Sequence, residues 1–137
     1  MSEILDWNKN VIAEFRANGG KVGGQFEGGN LLLLTTTGAK SGQQRTSPLV
    51  YLEDGERFVI AASYAGSDQN PAWYHNILAE PKVTVEVGEE KFEGTAAVVE
   101  DRADRDALYA KLIAMMPGFG DYEKKTKRLI PVVTLQR

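Results

Sequence analysis

The sequence predicts an α+β protein built on an antiparallel sheet or small barrel. Strand-like runs come in pairs joined by short polar turns, as in "EDGER" and "EVGEEKF". Helix-like segments are inserted between those pairs rather than alternating with single strands, which argues against a parallel sheet. At 137 residues the chain suffices for one domain with a real core, and it carries no repeat, low-complexity tract or internal boundary.

Each element has its own local reason. Residues 3–17 read as an amphipathic helix: Ile4, Trp7, Val11 and Phe15 form one stripe, and Gly19-Gly20 stop it. That stripe can pack on the protein body, which is the default, on another subunit, or at a membrane surface. The glycine-rich stretch "GGKVGGQFEGGN" reads as a loop, either a linker or a lid beside a ligand. Leu31 to Thr37 are apolar enough for a strand buried on both faces, and Arg45 to Glu53 form a second. Asp54-Gly55 supply a hairpin turn, and Phe58 to Ser63 return as a third strand. "NPAWYHNILAEP" is a short helix, with Asn70 as cap, Pro71 at its first position and Pro81 as its stop. In "KVTVEVGEEKFEGTAAVVE" the valines at 83, 85 and 87 alternate with polar residues, as in a hairpin with one buried face. Asp101 caps a helix running to about Met116, which Pro117-Gly118 break. Residues 121–128 read as a short polar helix, and Ile130 to Leu135 as the last strand.

Composition then narrows the function. An apolar fraction of 42% and a charged fraction of 26% describe an ordinary soluble globular protein. Net charge is -3, so no global basic field invites nucleic acid, and any anion site must be local. The absence of cysteine removes disulfides, thiolate metal sites and cysteine nucleophiles, and fits a cytoplasmic protein. The N-terminus lacks the pattern of a signal peptide, and no apolar run approaches membrane-helix length. His75 is the single histidine, and no ligand spacing around it suggests a metal. No serine has a nucleophile-elbow context. Without hydrolytic or metal machinery, chemistry supplied by a bound cofactor becomes the natural reading.

Three stretches could serve such a cofactor. "TTTGAKSGQQR" (35–45) joins two strands. Gly38 and Gly42 permit converging amides, Lys40 and Arg45 add charge, and Ser41 offers a hydroxyl. This suits an anion, though a solvated hairpin turn explains the same residues. "AASYAGSDQNPAWYHN" places small residues at a strand end before Trp73, Tyr74 and Asn76, which can wall a flat ligand or simply clamp the helix to the sheet. Tyr74 and Leu78, sharing a face with Ile77, read as core. In "MMPGFGDYEKKTKRLIPVVTL", Phe119 and Tyr122 follow a helix break, from which they can reach back over the sheet. Lys124, Lys125, Lys127 and Arg128 read as solvated surface.

In this order the three segments resemble the deazaflavin-dependent nitroreductase family of actinobacteria, split β-barrel proteins that bind coenzyme F420. The matching residues are Gly38, Lys40-Ser41-Gly42, Arg45-Thr46-Ser47-Pro48-Leu49, Ala62-Ser63, Gly66, Asn70-Pro71, Trp73-Tyr74 and Asn76. They continue with "EPKVTVEVG", Pro117-Gly118, Asp121-Tyr122, Thr126, Arg128 and Ile130-Pro131-Val132-Val133. The resemblance spans about Leu31 to Leu135.

It implies a single FMN-binding-like split barrel over 1–137, with a helix and glycine-rich loop in 1–30 and the cofactor barrel in 31–137. It assigns the coenzyme's phosphate and acidic tail to Lys40, Ser41, Gly42 and Arg45. Pro48, Leu49 and Tyr51 become pocket walls, and Ala61, Ala62 and Ser63 the strand edge against the ring. Gly66, Trp73 and Asn76 complete the site. The implied reaction is hydride transfer from reduced F420 to a small hydrophobic electron-poor acceptor, by a monomer or homodimer. Ser63, Tyr64 and Tyr122 are the catalytic hydroxyl candidates, with Tyr51 a further donor. FMN as cofactor and a non-catalytic binding role are the alternatives. Ala39 stands where well-known members carry arginine, and Tyr64 replaces a common lysine. Met116 and Phe119 stand where nitroimidazole-reducing relatives place tyrosines, which points toward quinones or activated alkenes.

Overall fold

A computed structural model describes residues 2–18, 31–63 and 70–136, with side chains from Asn10 onward. Its elements are α1 (Ser2–Ala17), β1 (Leu31–Thr37), β2 (Gln44–Val50), β3 (Leu52–Asp54), β4 (Arg57–Ala61) and α2 (Ala72–Ala79). They continue with β5 (Lys82–Val87), β6 (Glu90–Val98), α3 (Arg102–Met115), α4 (Gly118–Lys125) and β7 (Val132–Gln136). The strands form one seven-stranded sheet in the order β2-β1-β5-β6-β7-β4-β3, and every pairing is antiparallel.

That order forces curvature. β2 and β3 are the two edges of the sheet, yet Tyr51 alone separates them in the chain. One residue advances the chain by about 3.5 Å, so the edges must lie side by side and the sheet must curl on itself. The single strand expected over 45–53 is therefore two, because the chain leaves one edge and enters the other at Tyr51. Pro48 lies inside β2, where its missing N–H is tolerated because β2 is an edge.

Side chains alternate across this curled sheet. The inner face carries Leu32, Leu34, Ile60, Val85, Val133 and Leu135, all fully buried, and α2 plugs the interior with Trp73 and Ile77. The outer face is covered twice. Val11 and Phe15 of α1 pack on Leu31 and Leu33, which explains why four consecutive leucines are all buried. Arg16 of α1 also pairs with Glu86 of β5 at 2.9 Å. Of the three surfaces open to the α1 stripe, its described part thus takes the protein's own sheet. α3 and α4 cover Val59, Ala61 and Val132 through Leu108, Tyr109, Leu112 and Phe119.

Several boundaries differ from the sequence reading. Asn70 does not cap α2: Pro71 holds the N-cap position, without a side-chain cap, and the helix begins at Ala72. The polar helix occupies Gly118–Lys125 rather than 121–128, because Pro117 (φ -57, ψ -21) already has helical geometry and starts a helix as well as ending one. The last strand begins at Val132. Leu78 is 57% exposed rather than core, whereas Tyr74, half-buried, does pack against the interior cluster beside Trp73 and Ile77. The Asp101 cap is present and accepts from the Asp104 amide at 3.0 Å. The glycine-rich loop, Tyr64 and Gly66 lie outside the described residues.

α3 also anchors the segment between itself and β7. The Arg105 guanidinium, 4% exposed, donates through Nε and Nη2 to the Ile130 carbonyl, both at 3.0 Å. Tyr109 Oη donates to the Phe119 carbonyl at 2.7 Å. Both ends of the α4–β7 passage are thereby tied to one helix.

Candidate active site

The hairpin between β1 and β2 folds on its own backbone. Gly38 N donates to Gln43 O at 2.7 Å and Gly42 N to Gly38 O at 2.9 Å. Gly42 sits at φ 72, a region glycine enters without a Cβ penalty. Ser41 Oγ accepts from Gln43 N at 3.2 Å, and Arg45 Nη2 donates to Gln43 Oε1 at 3.2 Å. No described residue accepts from the amides of Lys40 and Ser41. Lys40, Ser41, Gly42 and Arg45 are all exposed. The segment is thus a tight hairpin that presents two cations to solvent, Lys40 at its tip and Arg45 at the start of β2, together with a hydroxyl and amides.

Asn76 ties this hairpin to α2. It is 8% exposed, and both ends of its amide are engaged. Oδ1 accepts from the Ala39 amide at 2.9 Å, and Nδ2 donates to Thr36 Oγ1 at 3.1 Å. The anchor uses the Ala39 backbone, so the alanine at this position leaves it intact.

A second clamp lies at the start of α2. Arg128 Nη1 donates to Asn70 Oδ1 at 2.8 Å, and Nη2 donates to the carbonyls of Ala62 and Ser63 at 3.1 and 2.9 Å. Arg128 is therefore not part of a solvated basic surface. Ala62 and Ser63 lie just past the end of β4, and both are buried.

The remaining candidates divide between the two faces of the sheet. Ala62, Tyr51 and Trp73 belong to the interior cluster, with Leu49 packed against it, and Tyr51 meets Phe58 edge-on at 5.3 Å. Pro48 is half-buried on β2. Ala61 and Tyr122 belong to the outer cluster, where the Tyr122 ring stands edge-on to Phe119 at 5.8 Å. The structure thus joins the hairpin to α2 through Asn76, and joins the β4 end to α2 through Arg128. The bond of Thr36 to Asn76, the bond of Asn70 to Arg128 and the clamping role of Arg128 escaped sequence reasoning. An arginine at the end of a lysine run looks like its neighbours until its acceptors are known.

Burial holds Tyr109 as a neutral donor. It pushes the phenol up to about 12, with Glu123 adding to the rise. An unfolded tyrosine titrates near about 10, so the folded state favours the protonated form. That contribution is complete below about pH 10 and is lost as pH climbs toward the folded value. Thermal melts between pH 8 and 12 should show wild type losing stability more steeply than Tyr109→Phe; equal slopes would assign the alkaline transition elsewhere.

A curled antiparallel sheet with a helix in its mouth and helices on its outer face defines a split β-barrel. Its likenesses narrow the class. A solved F420-H2 dependent reductase, FDR-A, matches with a TM-score of 0.70 and 36% identity over 77% of this chain and 93% of that one. A chain solved as a domain-swapped dimer matches with a TM-score of 0.73 and 31% identity over 98% of both. An F420H(2)-dependent quinone reductase of Mycobacterium tuberculosis is 39% identical over 131 residues, 91% of this chain and 86% of that protein. The profile of the F420H(2)-dependent quinone reductase family matches residues 7–137. The chain belongs to that family, and is accordingly an oxidoreductase with F420 as its cofactor. No helix among the described residues is long and apolar enough to cross a membrane.

Proposed function

We propose that this protein is a cytoplasmic reductase that passes a hydride from reduced F420 to a hydrophobic quinone, with activated alkenes as further acceptors. The observation that carries the reading is the hairpin Gly38–Gln43. It presents the exposed Lys40 and amides, with the exposed Arg45 beside it at the start of β2, on a backbone fixed to α2, in a chain of net charge -3. This donor set fits an anionic coenzyme end: Lys40 and Arg45 supply charge, while Ser41 and the Gly42 turn supply hydroxyl and backbone donors. Pro48, Leu49 and Tyr51 on one side and the strand end at Ala62 and Ser63 on the other would hold the ring, with Ala61 backing that strand end from the outer face and Gly66 and Trp73 completing the wall.

Bound in reduced form, F420 supplies two electrons and a proton as hydride. The chain's own task is to hold the acceptor in line, exclude water and stabilise the charge that develops on its oxygen. A quinone that accepts a hydride needs one further proton to become the hydroquinone. Ser63, Tyr64 and Tyr122 are the side chains proposed to donate a hydrogen bond or that proton. The domain-swapped relative supports a homodimer as the working assembly, which light scattering on the purified chain would test.

Titration with F420 and FMN, followed by fluorescence, should show preference for F420, and reduced F420 should then be oxidised on adding menadione. Preferred binding of FMN would overturn the cofactor assignment. Tight F420 binding without turnover across quinones, alkenes and nitroaromatics would leave a binding protein in place of an enzyme.

A further inference from the structure

We propose that Arg128 is a positioning residue of this site, clamping the end of β4 to the entry of α2. The inference rests on the reductase reading for its functional half, and on the hydrogen bonds themselves for its structural half.

Ser63 and Asn70 are seven steps apart in the chain, enough to separate them by roughly 25 Å if extended. One guanidinium holds both. Its Nη2 reaches two successive carbonyls, Ala62 O and Ser63 O, while Nη1 reaches Asn70 Oδ1. Successive carbonyls of a regular strand point in opposite directions, so one nitrogen can serve both only where the chain has left the strand. β4 ends at Ala61, immediately before them. Ala62 is also held from its other side, its amide donating to Pro131 O at 2.9 Å.

The clamp has a rigid base. Arg128 N donates to Thr126 Oγ1 at 3.3 Å, Thr126 is buried, and Arg105 holds the Ile130 carbonyl twice. Position is thereby relayed from α3 to the Ile130 segment, to Arg128, and to Ser63 and α2 together. The planar fork of five donors makes arginine suited to this three-acceptor geometry, whereas a lysine ammonium lacks the fixed spread. Ser63, a proposed donor to the acceptor, and Trp73, the second residue of α2, are the residues whose relative placement the clamp sets. A displacement of about 1 Å at such a site can lower turnover about a hundredfold.

The test compares wild type, Arg128→Gln, Arg128→Lys and the neighbouring Lys127→Gln. Amide exchange is measured on the protein without coenzyme, and turnover with reduced F420 and menadione. Arg128→Gln should speed exchange at Ala62 and in the first turn of α2 by about tenfold or more, with α3 unchanged. It should lower kcat by about thirtyfold while leaving KM for reduced F420 within about threefold, and millimolar guanidinium should restore part of the loss. Arg128→Lys should fall between, and Lys127→Gln should match wild type. Unchanged exchange at Ala62 and α2 overturns the clamp. A raised KM with intact kcat also overturns it, since that would make Arg128 a direct coenzyme contact. Activity loss that merely follows the unfolded fraction, without guanidinium rescue, reduces the residue to fold maintenance and overturns it too. If wild type itself does not turn over, the reductase reading fails, and the exchange comparison still decides the clamp.

Discussion

Replacing Lys40 and Arg45 together by alanine is expected to weaken F420 binding about a hundredfold while leaving the fold intact. A charge-assisted hydrogen bond is typically worth about 1.5–3 kcal/mol, and both side chains are exposed, which places each near the lower limit. Two such losses total about 3 kcal/mol, or roughly two decades at 1.4 kcal/mol per decade. Stability should change by no more than about 0.5 kcal/mol, since neither side chain is buried. Two further readouts separate an anion site from a polar turn. Affinity of wild type should fall as salt rises and that of the double variant should not. A deazaflavin lacking the phosphate and acidic tail should bind both proteins equally. Retained F420 affinity with retained salt dependence would return the hairpin to the role of a simple connection.

How far the sequence carries such a site depends on the range of its contacts. The hairpin at Asp54-Gly55, the alternation in β5 and β6, and the Asp101 cap are all local, and all were legible. Gly55 takes φ 64 as the turn requires, and Asp101 bonds an amide three residues away. The cationic hairpin was legible as a composition, and its neighbours Trp73 and Asn76 as a motif. The bonds that join them were not. Asn76 bonds partners 37 and 40 residues away, and the Arg128 guanidinium bonds Asn70, Ala62 and Ser63 from 58 to 66 residues away. No propensity encodes these pairs, which exist only once the sheet has curled. The same holds for Asn70: locally it is a good helix cap, but an arginine far along the chain competes for its oxygen and wins. At Tyr51 local patterning fails differently, since one continuous apolar stretch serves both edges of the barrel.

Asn76→Ala is expected to cost about 2–4 kcal/mol of stability and, separately, to loosen the coenzyme hairpin. The amide is 8% exposed and makes two hydrogen bonds, so its removal strands the Ala39 N–H and the Thr36 hydroxyl and leaves a small void. For a chain of this size that corresponds to a fall in Tm of roughly 10 °C. The two effects can be parted by a cycle with the Lys40/Arg45 double variant. In stability the changes should add, because the cations are exposed and Asn76 is not. In F420 affinity they should not add. Asn76→Ala should weaken binding about tenfold when the cations are present, by letting the hairpin stray from α2, and very little once they are gone. An undiminished loss in the cation-free background would mean that Asn76 touches the coenzyme itself, since there would then be no held charge left to misplace. An unchanged affinity beside a lowered Tm would make it a staple of the fold with no part in binding. Asn76→Asp adds a control: its carboxylate can accept from the Ala39 amide and from the Thr36 hydroxyl, which donates as readily as it accepts. Coenzyme affinity should therefore survive in Asn76→Asp better than in Asn76→Ala, even though burying the charge lowers stability.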